Sequence, residues 1–120
     1  MATANRLTDV LIEQTTILKE LQQTLQDEQK AIAALDTQLM EALNSQKEQL
    51  LSRQRTMTET LHSVLSDTAG QYGLAPSATL GELIEKMPAS VKGQVAPLQQ
   101  TARQTGTAVS VLANQNRAML

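Results

Sequence analysis

From Leu7 to Ala69 the chain has neither Pro nor Gly, and through most of that run an apolar residue returns every seven positions. Leu11, Leu18, Leu25, Ile32 and Leu39 form the row, and Leu7, Leu21 and Leu35 fill the three- and four-residue steps between them. A seven-residue repeat of this kind is the seam of a helix that packs lengthwise on another helix. Gln14 and Glu28 interrupt the row. After Leu39 it steps by four to Leu43 and resumes as Leu50, Met57 and Val64, with Leu61 beside it. A four-residue step is a stutter, which relaxes a supercoil without ending a helix. The stretch is thinner between Leu43 and Leu61, where Gln46, Lys47, Arg53 and Gln54 occupy places an apolar residue could fill. The spacing therefore predicts one helix over about 5–70, a rod on the order of 90–95 Å long.

The segment "GQYGLAPSATLGELIEKMP" punctuates the chain. Gly70 and Gly73 flank Tyr72 and suit a left-handed helix end. Ser77 or Thr79 can cap a short helix over about 78–87, Thr79 and Glu82 having the spacing of a capping box, and its apolar face is Leu80, Leu83, Ile84 and Met87. Pro88 closes it. The last segment, 89–120, carries Val91, Val95, Leu98, Ala102, Thr105, Val109, Leu112, Asn116 and Met119 in alternating steps of four and three. Pro97 lies off that row and predicts a kink near 93–97 or a helix that begins there. The fold expected over 1–120 is a single all-α domain: a long helical hairpin or coiled-coil-like antiparallel bundle with a short connecting helix.

Composition narrows the function. There is no Phe, Trp or Cys, and Tyr72 is the only aromatic, so the apolar surface is aliphatic and suited to narrow seams. A net charge of −2 supplies no basic stripe for nucleic acid. Without Cys there is no disulfide or thiolate chemistry. No run approaches the roughly 18 apolar residues of a membrane span, and "MATANRLTDV" does not read as a signal peptide. A cytoplasmic protein is the expectation. Mixed charges on the long helix also argue against a membrane-surface helix, which needs a Lys/Arg face.

Catalysis has little to stand on. His62 is the only histidine, and Ser63, Ser66 and Asp67 lie beside it on one helix, whereas a nucleophilic triad converges from separate elements. Asp27–Glu28 and Glu82–Glu85 read as ordinary helix surface. "GQYG" lacks the basic residue and strand of a phosphate loop, and no metal-ligand spacing is present. The chain is expected to be no enzyme and to need no cofactor or metal. Binding through apolar seams remains. A first helix of about 60 residues cannot be covered by a last one of about 30, which predicts either self-association, such as a homodimer, or a stripe offered to a partner.

Certain segments also resemble a known family. "TTILKELQQTLQDEQKAIAALD" followed by "QKEQLLSRQRTMTETL" is similar to the opening half of the FlgN family of flagellar type III export chaperones, with Glu28-Gln29 and Lys47-Glu48 ahead of Leu50-Leu51. "LGELIEKMP" resembles the family's middle segment and "LANQNRAML" its late helix. The Asn pattern departs, since Ala113 stands where the first Asn is usual and Asn116 alone matches. The family pattern also carries a later Tyr that docks on the export gate; no Tyr follows Tyr72 here, so no residue is assigned to gate docking. The resemblance implies an all-helical cytoplasmic chaperone for protein export in flagellum biogenesis. Its clients would be the hook-associated junction proteins FlgK and FlgL, gripped by their C-terminal amphipathic helices, with the flagellar export apparatus as a further partner. Val109, Leu112, Asn116, Met119 and Leu120 are the expected client-binding residues, with Asn116 on the seam able to bond a client or a neighbouring helix. The alternative is a structural coiled-coil assembly protein that self-associates through its Leu rows.

Overall fold

The computed structural model describes residues 2–120, with side chains from residue 5 onward, and in it the Pro- and Gly-free run is two helices, not one. Helix α1 spans Ala2–Ala33 and α2 spans Thr37–Gln71. The expected helix over about 5–70 is thus corrected at residues 34–36, and the molecule measures 54 × 21 × 20 Å, far shorter than the rod. The break is made by hydrogen bonding and not by a helix-breaking residue. Asp36 N–H donates to Ala31 O at 2.9 Å and Leu35 N–H to Ile32 O at 3.1 Å, the paired bonds of a Schellman motif. That motif puts its C′ residue in the left-handed region, and Leu35 stands there with φ 55°. Asp36 then starts α2 by accepting the Leu39 N–H on its side chain at 3.1 Å. Leu35 and Leu39, expected in the seam, are exposed as a result.

The second helix ends the same way with the usual residue. Leu74 N–H reaches Ala69 O and Gly73 N–H reaches Gly70 O, with Gly73 at φ 68°. Helix α3, Leu80–Lys86, begins at Thr79, whose side chain accepts from Glu82 N while Glu82 bonds back to the Thr79 N–H, the expected capping box. Helix α4, Ala89–Met119, runs without interruption through Pro97. The ring nitrogen has no proton to give to the carbonyl of Gly93, so the helix lacks that one bond; one turn on, the Thr101 hydroxyl donates to Pro97 O.

Helix α1 is the centre of an all-α bundle, with α2 antiparallel to it and α4 parallel to it. Leu7, Val10 and Leu11 cluster with Val64 and Ala69 of α2, Leu83, Ile84 and Met87 of α3, and Val95 of α4. This is the closed end, plugged by α3. Midway along, Ile17, Leu18 and Leu21 meet Leu50, with Met57, Ala102 and Val109 packed against them. Further along, Gln29 pairs with Gln115. The rising order of both α1 and α4 numbers fixes their parallel direction. The expectation that the last helix folds back antiparallel on the first is therefore corrected: α4 packs on α1 and runs parallel to it, and it is opposite to α2 in direction only. The surplus-length argument for an uncovered seam also lapses, because α1 is covered by α2 on one side and α4 on another.

Candidate functional site

The two outer helices share α1 but not each other. Among the described residues no Cα of α2 lies within 8 Å of one of α4. Both helices contribute side chains to the apolar clusters that cover α1, and the space between them opens as a groove at the end where α1 turns into α2. There a groove of about 310 Å³ has Leu25 and Glu28 as its floor. Lys47 and Leu51 form the α2 wall. Ala113, Asn116, Arg117 and Leu120 form the α4 wall, spaced by three and four so that they share one helix face. A second hollow of about 450 Å³ shares Glu28, Lys47 and Leu120 and continues over Ile32 and Met40 to Thr37 at the start of α2.

At the junction of floor and walls sits a polar node. Each long helix interrupts its own apolar row once here: α1 with Glu28, α2 with Lys47, α4 with Asn116. Lys47 Nζ donates to Glu28 Oε2 at 2.8 Å. Asn116 Nδ2 donates to Glu28 Oε1 at 2.8 Å and to Leu25 O at 2.9 Å. Both oxygens of the Glu28 carboxylate are thereby satisfied although the residue is buried. The reading of Glu28 as plain helix surface is corrected. Asn116, only 2% exposed, is a helix-to-helix bond that fixes where α4 sits along α1. Its Oδ1 is buried and accepts no hydrogen bond, a deficit of about 1–3 kcal/mol for a buried acceptor. Elsewhere buried polar groups are satisfied locally: the hydroxyls of Thr15, Thr24, Thr68 and Thr105 each donate to the carbonyl four residues back.

Of the five residues singled out in the sequence, Asn116 and Leu120 line the groove together. Leu120 is 78% and Met119 43% exposed, so apolar surface stands at the open end of α4. Leu112 is half-buried, and Val109 packs on the Ile17–Leu21 cluster. Sequence reasoning missed Leu25, Glu28, Lys47 and Leu51. The signal was available, because Glu28, Lys47 and Asn116 each fall where a seam wants an apolar residue, yet nothing local says that the three interruptions meet.

Other sites lack this convergence. His62 is exposed beside Ser77 and Thr79 in a shallow groove at the closed end, and among the described residues no hydrogen bond joins it to Ser63, Ser66 or Asp67. Among the described residues no cluster of three potential metal ligands occurs, and no helix is long and apolar enough to cross a membrane. Arg53 bridges to Glu20 at 3.2 Å and Glu13 at 3.7 Å across the α1–α2 face, all of it solvated and so worth little.

Comparison with known proteins agrees with a binding bundle. A family model described as FlgN protein matches residues 1–120, the whole chain, while no curated protein and no solved structure matches it. FlgN is a family of chaperones in flagellum biogenesis, and its members bind substrates of flagellar export. With a match over its full length, and an all-helical bundle as its fold, the chain belongs to the FlgN family.

Proposed function

We propose that this chain is a cytoplasmic chaperone that holds the C-terminal amphipathic helices of FlgK- and FlgL-like hook–filament junction proteins before their export. The observation that carries the reading is the groove between α2 and α4, where Leu51 and Leu120 expose apolar surface, with Met119 exposed beside it at the end of α4. A helix with its side chains is about 10–12 Å across. Laid over α1 between α2 and α4, it makes a fourth member of the bundle and covers that surface. A client helix unpaired before assembly needs such cover, since free apolar stripes aggregate. In this reading Asn116, Met119 and Leu120 meet the client, and Val109 and Leu112 hold α4 in place on α1. Docking on the export apparatus belongs to the same reading with no residue assigned to it.

Self-association without a client is the second reading. Its main support was a seam too long to be covered within one chain, and the α1–α2 hairpin removes that excess. Titration calorimetry with a peptide from the C-terminal helix of a junction protein tests the choice. Micromolar or tighter 1:1 binding supports the chaperone. No binding, together with a stable dimer in sedimentation, overturns it in favour of the assembly protein.

A further inference from the structure

Helix α2 lines more than the groove. Lys47 belongs both to the groove and to the hollow at the hairpin end, and Leu51 belongs both to the groove and to a third hollow of about 370 Å³. The three therefore join end to end along one helix. Met40, Asn44, Lys47, Leu51, Gln54 and Thr58 line them in steps of four and three, which puts all six on one side of α2. At a rise of 1.5 Å per residue that stripe is about 27 Å long. It runs beside the side of α2 that packs on α1, where Leu43, Leu50 and Val64 are buried, and each of the six keeps exposed surface.

Length and placement say what fits the stripe. The groove alone touches α2 over little more than one turn, Lys47 to Leu51, whereas a stable interface engages about 20–30 residues a side. A helix laid along the whole stripe brings about 18 residues, or five turns, into contact. A second copy of the chain does not suit it. With two stripes overlapped antiparallel about a two-fold axis, Met40 falls opposite Thr58 of the copy, Asn44 opposite Gln54, and Leu51 opposite Lys47, so each apolar residue meets a polar one. Set parallel, Lys47 meets its own copy. The charges lining the three hollows balance: Glu28, Glu41 and Glu59 stand against Lys47, Arg55 and Arg117. Net charge therefore selects no partner, and the apolar positions do. Met40 and Leu51 are three turns apart on the stripe, with Ile32, Leu25 and Leu120 beside them in the same hollows. Beyond Leu51 the stripe is polar, and an apolar residue laid over Gln54 and Thr58 would cover their polar groups without bonding them.

We propose that the client helix lies along the whole of this stripe, as five turns that are apolar where they face Met40 to Leu51 and small or polar where they face Gln54 and Thr58. This rests on the chaperone reading and adds two things to it: the length of helix that the chaperone takes, and the point at which the apolar face of that helix stops.

The test places a long charged side chain at each end of the stripe and measures binding of the junction-protein peptide to the full chain by calorimetry. Thr58 lies two turns, about 10 Å, beyond Leu51 and outside the groove. Thr58→Lys and Met40→Lys are each expected to weaken the peptide about fivefold or more, with the melting temperature unchanged. Gln54→Lys, one turn before Thr58, repeats the test at that end. Gln49 is exposed and sits nine residues, two and a half turns, from both Met40 and Thr58, so it faces the other way. Gln49→Lys is expected to leave binding unchanged. Unaltered binding by both Thr58→Lys and Gln54→Lys confines the client to the groove, which overturns the stripe and leaves the chaperone reading standing. Equal weakening by Gln49→Lys overturns it in the same way. A dimer in sedimentation that Met40→Lys and Thr58→Lys dissociate overturns it in favour of a second copy. Failure of the peptide to bind the unaltered chain overturns both readings.

Discussion

Leu35→Gly is predicted to stabilise the protein, against the usual outcome of removing a leucine. Leu35 occupies the C′ position of the α1 end with φ 55°, and its side chain is 83% exposed, so little apolar burial is lost. A left-handed conformation costs an L-residue about 1–2 kcal/mol because Cβ crowds the following carbonyl. Glycine is free of that crowding but loses more chain entropy on folding, roughly 0.5–1 kcal/mol. The balance is a gain of about 0.5–1 kcal/mol, a rise in melting temperature of about 2–4 °C for a chain of this size. Leu35→Asn is expected to move the same way by less, since Asn tolerates the left-handed region. Thermal and urea denaturation followed by far-UV circular dichroism measure both. The sign is what matters. In an unbroken helix through residues 33–37, each substitution would lower stability, glycine by about 1 kcal/mol. A fall in melting temperature for both variants would refute the hairpin turn.

Other substitutions probe the remaining joints. Leu21→Ala, at the middle of α1 between both neighbours and 1% exposed, is predicted to cost about 2–5 kcal/mol in urea denaturation. Thr79→Ala removes the side chain that accepts from Glu82 N and is predicted to cost about 1 kcal/mol in the same assay. Lys47→Met leaves the buried Glu28 carboxylate with Asn116 as its remaining partner and is predicted to lower stability by about 1–3 kcal/mol. Arg53→Ala, which loses two solvated pairs, is predicted to cost well under about 1 kcal/mol. Equal losses for Lys47→Met and Arg53→Ala would contradict the distinction drawn between the polar node and the surface pairs.

Much of the architecture is readable from periodicity and caps. The Leu row of α1, the Thr79–Glu82 capping box, the Gly73 helix end and the stop at Pro88 all depend on neighbours close in sequence. The turn at 34–36 was not, because its left-handed position carries Leu instead of Gly, and Leu39 by coincidence extends the seven-residue row past the break. Two weaker signals did mark it. Asp36 can cap a helix starting at Thr37, and the four-residue step from Leu39 to Leu43 is where one seam ends and a second begins. The groove was half legible. Asn116 and Leu120 stood out on α4, but Glu28 and Lys47 are joined to them only by the hairpin, and a continuous rod would have set Glu28 and Lys47 nearly 30 Å apart.

Hydrogen exchange with and without the junction-protein peptide tests the central claim, that a client helix lies between α2 and α4 over the end of α1. The account predicts slower exchange on binding over the last turns of α4, from about residue 113 to 120, and over residues 44–54 of α2. It predicts no change in α3 or around His62. Protection confined to the closed end, or spread evenly over all four helices, would contradict it.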